Sequence, residues 1–259
     1  MKAVRLADGL RLFVRDRGTG TPVLLLHAWG ETHRALDRLV ELLPDGLRVL
    51  APDQRGVGGS DKPGRGYRLE DAASDVIGLL DALDLPVAWV VGSSSGGYVA
   101  QQVAASHPDR LLGLVLVGAP RSLSGIDPLG AILEGFHDPV TPADLAALNG
   151  RLALPDTIPR DFLAVQDAAA LTIPRHVWLA GYRGLVQATP PTESGRIVTR
   201  TLVLGGADDE LLDPTQAAEL AAAIPGSRLV IYERTGHFVL WERPERVARD
   251  LVEFITAGA

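Results

Sequence analysis

Segments with the pattern of β-strands alternate with segments of helical pattern along most of this chain of 259 residues. Short continuous apolar runs, such as residues 22–27 and 111–117, are typical of strands that are buried on both faces. Amphipathic segments lie between them, and residues 69–83 carry Val76, Leu79 and Leu83 on one face. Neighbouring parallel strands need a long crossover, which a helix supplies. The alternation therefore predicts an α/β fold with a mostly parallel sheet flanked by helices.

Eight strands are predicted, and the first two flank Asp8-Gly9, a turn signal of a β-hairpin. The predicted strands are residues 4–6, 10–14, 22–27, 47–51, 87–91, 111–117, 201–204 and 229–232. The predicted helices among them are residues 34–43, 69–83, 98–106, 214–224 and 245–255.

The strand pattern is interrupted between Ala119 and Ile197, where only helical segments are evident. These are residues 142–152 behind Thr141 as the N-cap, 160–171 and 175–187. An insertion of this size between two strands predicts a helical lid, residues 119–196, on a core formed by residues 1–118 and 197–259.

Charge and composition exclude several classes of protein. The chain has no cysteine, so thiolate nucleophiles and Cys-ligated metal sites are excluded. A net charge of −7 argues against a nucleic-acid partner. No apolar run approaches about 18 residues and the N-terminus lacks a signal-peptide pattern, so we expect a cytoplasmic protein without a membrane partner. The sequence leaves the oligomeric state open, with a homodimer as one option.

The segment Gly92-Ser93-Ser94-Ser95-Gly96 lies directly after one predicted strand and directly before a predicted helix. A G-x-S-x-G sequence in this context is typical of a nucleophile elbow, in which the central residue, here Ser94, is exposed on a sharp turn. The alternative is an ordinary glycine- and serine-rich turn. No lysine follows the glycines, so a Walker phosphate loop is excluded.

A serine nucleophile needs a base, and the base needs a carboxylate. His237 follows the last predicted strand, and Asp208 and Asp209 follow the strand before it. The carboxyl ends of parallel strands meet at one sheet edge, where we expect Ser94, His237 and one aspartate to lie together. His33, His107, His137 and His176 show no metal-binding spacing, which predicts no metal.

With these motifs in their order, the chain resembles the α/β-hydrolase fold superfamily over nearly its whole length. Asp53-Gln54-Arg55-Gly56-Val57-Gly58-Gly59-Ser60 and Gly236-His237 are similar to further motifs of that family. The resemblance implies a Ser94–His237–Asp209 triad, with Asp208 as the alternative acid, and an oxyanion hole formed by the backbone N–H groups of Trp29 and Ser95. It gives His27 a structural role. Ala28 stands where the family usually has glycine.

The function implied is a serine hydrolase that uses no cofactor and cleaves a small or medium ester or lactone through an acyl-enzyme. Carbon–carbon bond hydrolases share this triad and stay an alternative. Cofactor-free haloperoxidase or perhydrolase activity is another alternative. It ranks lower, because those relatives usually have proline where this chain has Gly30. A non-catalytic receptor that reuses the fold is the alternative outside enzymes. The expected substrate contacts are Trp29, Phe136, His137, Trp178, Tyr182 and Phe238. For Trp178 and Tyr182, the alternative is that they only pack the lid onto the core.

Overall fold

One eight-stranded sheet forms the centre of the computed structural model, which describes residues 1–125, 127–152, 154–213 and 215–257. The strand order is β1-β2-β4-β3-β5-β6-β7-β8. β1 and β2 form a hairpin, β2 pairs antiparallel with β4, and all other neighbours are parallel. The predicted eight-stranded, mostly parallel sheet is thus confirmed. The strands are β1 (Lys2–Arg5), β2 (Arg11–Arg17), β3 (Thr21–Leu26), β4 (Leu47–Asp53), β5 (Ala88–Ser93), β6 (Leu111–Val117), β7 (Thr201–Gly206) and β8 (Arg228–Tyr232).

Helices cover both faces of this sheet. They are α1 (Asp37–Leu42), α2 (Leu69–Ala82), α3 (Ser95–Ser106), α4 (Gly130–Glu134), α5 (Pro142–Leu152), α6 (Arg160–Ala170), α7 (Arg175–Val186), α8 (Pro191–Ser194), α9 (Gln216–Ala223), α10 (Val239–Glu242) and α11 (Pro244–Thr256). The sequence did not predict α4, α8 and α10, because four or five residues are too few to show helical periodicity. Within the described ranges, none of these helices has the length and apolar character needed to cross a membrane.

Some boundaries differ from the predicted ones. The predicted helix 34–43 begins as a 3₁₀ turn, His33–Leu36, and becomes α-helical only from Asp37. The helix after β5 begins at Ser95, three residues before its predicted start, because the strand turns into the helix within one residue. Pro214, the predicted first residue of α9, lies outside the described residues.

Alternate residues of each central strand contribute to different hydrophobic cores. Leu24 and Leu26 of β3 pack with α2 and α3 on one face of the sheet. Val23 and Leu25 of the same strand pack with α1 and α11 on the other face. Both faces are buried, which is why these strands are continuous apolar runs.

Five helices, α4 to α8, occupy the chain between β6 and β7, and the described part of that segment contains no strand. A third hydrophobic cluster packs inside this segment and includes Leu133, Leu148 and Trp178. Val57, from the loop after β4, belongs to the same cluster. The inserted helices therefore rest on loops at the carboxyl edge of the sheet.

Candidate active site

The turn between β5 and α3 places Ser94 at the carboxyl edge of the sheet. Ser94 has φ 48° and ψ −121°, a conformation that non-glycine residues rarely adopt and that costs energy. The flanking glycines make the turn sterically feasible. A Cβ on Gly92 would overlap the Gly96 carbonyl, and a Cβ on Gly96 would overlap the carbonyl of His27. The strained serine and its two glycines are the geometry that a nucleophile elbow requires.

The structure brings Ser94, His237 and Asp209 together in one chain of hydrogen bonds. Ser94 Oγ lies 2.9 Å from His237 Nε2, and His237 Nδ1 lies 2.9 Å from Asp209 Oδ2. The other carboxylate oxygen of Asp209 accepts hydrogen bonds from the backbone N–H groups of Leu211 (3.0 Å) and Leu212 (2.8 Å). His237 and Asp209 are buried, so solvent screens their interaction little. A neutral His237 that donates from Nδ1 presents Nε2 as an acceptor for the serine proton.

The two aspartates that the sequence left as alternatives occupy different environments. Asp209 is buried against His237, whereas Asp208 is exposed to solvent. The backbone N–H of Asp208 donates to Thr235 O (2.9 Å), which ties the loop after β7 to the loop that carries the histidine. Of the two carboxylates, only that of Asp209 hydrogen-bonds to His237 among the described contacts.

Backbone contacts fix the histidine loop. The N–H of Gly236 donates to the Glu242 carboxylate (3.0 and 3.1 Å) at the end of α10. At Gly206, the last residue of β7, a Cβ would overlap the carbonyls of Thr235 and Gly236. The loop therefore packs directly against the end of β7, which brings His237 within reach of Asp209.

The loop after β3 lies beside the elbow and carries Trp29, one of the two expected oxyanion donors. The Trp29 N–H donates to Ser95 Oγ (2.6 Å) in this structure. Ser95 is the first residue of α3, where backbone N–H groups have no partner within the helix. The N–H groups of Trp29 and Ser95 thus belong to two neighbouring segments, and the Ser95 hydroxyl accepts a hydrogen bond from the N–H of Trp29.

His27 connects this loop to the loop after β4, and its described hydrogen bonds join it to Ala28 and Gln54. Its Nδ1 lies 2.8 Å from Ala28 O, and its Nε2 accepts the N–H of Gln54 (3.1 Å). Burial lowers the pKa of His27, and the carbonyl of Ala28 opposes that effect. The neutral ring therefore connects the loops after β3 and β4.

Glu31, which the sequence gave no reason to single out, also lies at the site. Its Oε2 accepts the N–H of Ala28 (3.0 Å), and the residue lines the same cavity as Ser94 and His237. Burial raises the pKa of Glu31 to about 7, and the Ala28 N–H opposes that rise. The carboxyl therefore changes charge near neutral pH beside the expected oxyanion hole.

A cavity of about 190 Å³ opens in front of Ser94 and His237. Four of the expected substrate contacts line it, namely Trp29, Trp178, Tyr182 and Phe238. The rings of Trp29 and Trp178 meet edge to face at 4.8 Å between centroids, and Tyr182 lies 5.3 Å from Trp29. These aromatic rings form an apolar wall of the cavity beside Ser94.

Phe136 and His137 lie elsewhere, so the expectation that they contact substrate is corrected. Phe136 packs behind Trp178, 5.6 Å between ring centroids, within the core of the inserted helices. The His137 side chain is 69% exposed, and its Nδ1 lies 2.9 Å from Asp144 Oδ1. Asp144 also accepts the N–H of Thr141 (2.8 Å), so this cluster caps the start of α5. Neither residue is among the described residues that line the cavity.

Polar residues on α5 and α6 also line the cavity and were missed by the sequence. They are Asn149, Gln166 and Asp167. The helical spacing of the neighbouring apolar residues could have shown on which helix face these residues lie. It could not have shown that this face lines the cavity. Over the described ranges, no three histidine or carboxylate side chains converge as a metal site requires.

Comparisons with known proteins agree with this geometry. A family model described as "Alpha/beta hydrolase family" matches residues 23–250. A non-heme chloroperoxidase from Streptomyces lividans is 32% identical over 98% of this chain and 99% of its own length. A 2-hydroxymuconate semialdehyde hydrolase from Pseudomonas putida is 31% identical over 98% of this chain and 93% of its own. The solved structure of a thermophilic esterase from Thermogutta terrifontis superposes with a TM-score of 0.87 at 27% identity, covering 99% of each chain.

Proposed function

Since this chain belongs to the alpha/beta hydrolase family, we propose that it is a serine hydrolase acting on small or medium carboxylic esters or lactones. The observation that carries the proposal is the hydrogen-bonded chain Ser94–His237–Asp209 at the wall of a largely apolar cavity. A base 2.9 Å from a strained, cavity-facing serine hydroxyl is the arrangement that activates such a nucleophile. The esterase from Thermogutta terrifontis supports the same class of substrate.

Acylation follows from these contacts. His237 Nε2 takes the Ser94 proton as Oγ bonds to the carbonyl carbon, and Asp209 stabilises the imidazolium. The carbonyl oxygen becomes an oxyanion that accepts the N–H groups of Ser95 and Trp29, after the Ser95 hydroxyl has turned away from Trp29. Each such donor lowers the barrier by about 2.7–4 kcal/mol. The bond to the alkoxy oxygen then breaks, and His237 gives its proton to that oxygen, which leaves as the alcohol.

Deacylation repeats these steps with water. His237 takes a proton from the water as its oxygen attacks the acyl carbon, and the same N–H groups hold the second oxyanion. The bond to Ser94 Oγ breaks, the histidine returns the proton to that oxygen, and the acid leaves. For a lactone, the alcohol and acid are the two ends of one product.

The inserted helices are proposed to act as a lid that sets substrate size. Residues from α5, α6 and α7 line the cavity above Ser94, and apolar side chains predominate among them. Water exclusion by such a lid strengthens the electrostatic interactions at the triad. A cavity of roughly 150 Å³ accepts a molecule of the size of benzene. The 190 Å³ here therefore favours a short acyl group over a long lipid chain.

Turnover of p-nitrophenyl acetate by wild type and Ser94→Ala tests the proposal. We expect release of p-nitrophenol by the wild type, loss of that activity by at least about 10³-fold in the variant, and covalent labelling of the wild type alone by a fluorophosphonate. Absence of both turnover of any short ester or lactone and labelling of the wild type would contradict the hydrolase assignment. Gel filtration and melting temperature serve as controls that Ser94→Ala folds.

A second candidate is hydrolysis of a carbon–carbon bond in a vinylogous diketone. It is supported by the 31% identity to the 2-hydroxymuconate semialdehyde hydrolase. Parallel assays with such a diketone and with short esters separate the two, and the higher kcat/KM identifies the substrate class.

We rank haloperoxidase or perhydrolase activity below these two candidates, despite the 32% identity to the chloroperoxidase. The resemblance associates that activity with proline at position 30. Gly30 has φ +79°, which proline cannot adopt, and a Cβ there would lie 2.5 Å from the ring of Trp178. The loop and the lid are therefore built around glycine at this position.

A further inference from the structure

A second cavity, of about 100 Å³, adjoins the cavity in front of Ser94. Residues of α2, α3 and α7 and of the loops after β3 and β4 line it. Neither Ser94 nor His237 is among the described residues of its lining. The residues that line both cavities are Ala28, Trp29, Gly30, Ser95, Trp178 and Leu185. The boundary between the cavities therefore runs mainly along the loop after β3 and along α7.

The indole ring of Trp29 lies at this boundary. Its ring centroid is 5.3 Å from that of Tyr182, which lines the cavity in front of Ser94 but not the second one. The same indole also packs on Gly181, which lines the second cavity but not the first. A Cβ on Gly181 would lie 3.2 Å from Trp29 Cδ1. The ring thus touches one residue of each cavity and stands between the two.

Neighbouring groups hold the indole in this place. Trp29 Nε1 donates to Trp178 O (3.3 Å), and the two tryptophan rings meet edge to face. Trp178 is fixed in turn by Gly30, where a Cβ would lie 2.5 Å from its ring, and by Phe136 in the core of the inserted helices. Moving the indole aside would break these contacts, so a substrate chain meets the ring as a wall.

The second cavity offers mainly apolar surface behind this wall. Ala72 and Val76 of α2 and Val99 of α3 are among its lining residues. Its charged groups satisfy each other, because Arg55 Nε donates to Asp75 Oδ2 (2.7 Å) within an ion pair. Transfer of an alkyl chain into such a space is favourable by about fourfold for each methylene group.

The proposed mechanism determines which part of an ester points toward the boundary. The carbonyl oxygen turns to the N–H groups of Trp29 and Ser95, and the alkoxy oxygen must reach His237 Nε2 to take its proton. The acyl chain is the remaining substituent, and it extends away from His237, which lines only the first of the two cavities. A lengthening acyl chain is therefore directed toward the ring of Trp29.

We propose that the side chain of Trp29 sets the upper limit of acyl length by closing the second cavity to the substrate, so that short straight acyl chains are preferred. The inference rests on the proposed hydrolase function and assigns a specificity-determining side chain within it. The expected oxyanion donor of Trp29 is its backbone N–H, so the side chain can be replaced without removal of that donor.

The test measures kcat/KM for p-nitrophenyl octanoate and p-nitrophenyl butanoate, and takes their ratio so that effects common to both esters cancel. Wild type should favour the butanoate. Trp29→Ala opens the second cavity, and its ratio of octanoate to butanoate should exceed that of wild type by at least about tenfold, as burial of two or more further methylene groups predicts. Trp29→Leu should give a smaller rise in the same direction, and it serves as the test if the alanine variant does not fold.

Ala72→Leu fills part of the second cavity and tests whether that cavity is the space gained. Alone, it should leave the ratio of wild type unchanged, whereas in Trp29→Ala it should remove most of the gain. Trp241→Ala is the matched control, because Trp241 lines the first cavity and not the second. Any gain in that variant should be the same with and without Ala72→Leu. Melting temperatures check that each variant folds.

Butyl and octyl acetate lengthen the alcohol instead of the acyl chain. Their ratio should be the same in wild type and Trp29→Ala. A gain confined to these acetates would overturn the assignment of the second cavity to the acyl chain.

Three further outcomes overturn this inference while the hydrolase assignment stands. Wild type hydrolyses the octanoate as efficiently as the butanoate, or both Trp29 variants keep the ratio of wild type, or the gain in Trp29→Ala is undiminished by Ala72→Leu. If wild type turns over no ester or lactone and is not labelled by a fluorophosphonate, the proposed function itself fails, and this inference fails with it.

Discussion

Replacing Glu31 by glutamine tests whether its carboxyl group is held in the neutral form at the wall of the cavity in front of Ser94. Glutamine keeps the shape of the side chain and an oxygen that accepts the N–H of Ala28, but it cannot ionise. Burial raises the pKa of Glu31 from an ordinary value of 4.5 to about 7 in the folded protein. The folded state therefore binds more protons than the unfolded chain between these two pH values, and the free energy of unfolding falls as the pH rises through that window.

The rise from 4.5 to about 7 sets the size of the effect. At about 1.4 kcal/mol for each unit of pKa, the ionised carboxyl costs the folded state about 3 kcal/mol above pH 8. At pH 5 the cost is below about 1 kcal/mol, because the folded-state carboxyl is protonated. Glu31→Gln should therefore be more stable relative to wild type at pH 8.5 than at pH 5, by about 2.5 kcal/mol.

Urea unfolding of both proteins at the two pH values measures this difference. Glu233→Gln is the matched control, because it makes the same change at an exposed position, and its effect at the two pH values is compared with that of Glu31→Gln. Activity gives a second measurement. A negative charge beside the proposed oxyanion hole would oppose formation of the oxyanion, so Glu31→Gln should retain activity at a higher pH than wild type. An equal effect of Glu31→Gln on stability at pH 5 and pH 8.5 would refute burial of a neutral carboxyl.

The remaining predictions concern the triad and the elbow. Asp209→Asn should lower kcat by about 10⁴-fold, since the buried carboxylate orients His237 and stabilises its charged form, while the exposed Asp208→Asn should stay close to wild type. Steady-state kinetics of the pair check this, and the opposite ranking would transfer the acid role to Asp208. Gly92→Ala should destabilise the fold by about 1–3 kcal/mol or more and reduce activity, because its Cβ would overlap the Gly96 carbonyl. A variant with an unchanged melting temperature and unchanged turnover would contradict the steric account of the elbow.

The strands and the longer helices could be predicted because their signals are local. A strand segment buried on both faces must be apolar at every position, and residues 23–26 and 113–117 show this directly. Ser94 could be located for a similar reason, since only small residues fit beside the sharp turn. The helices α4, α8 and α10 gave no comparable signal, because one turn of helix is stabilised by what it packs against.

The choice between Asp208 and Asp209 could not be made from local signals in the sequence. The two residues are adjacent and chemically identical, and family resemblance alone favoured Asp209. The structure distinguishes them by burial, because the loop after β7 turns one side chain toward His237 and the other toward solvent. A contact across 28 residues depends on how β7 and the histidine loop pack, which no short stretch of sequence encodes.

The residues that line the cavity could be predicted only in part, because the cavity too forms between segments that are distant in sequence. The sequence placed Trp178 and Tyr182 on one helix face, and that face does line the cavity, but Phe136 and His137 turn away from it. Glu31 and Gln166 carried no signal at all, because an isolated glutamate or glutamine in a sequence is most often a solvated surface residue. By itself, the sequence determined the alternation of elements and the elbow, since periodicity and local sterics specify these, and its motifs gave the order of the candidate triad residues. The tertiary structure alone decided which polar side chains are buried at the cavity wall, because burial depends on segments far apart in the chain that meet only in the folded protein.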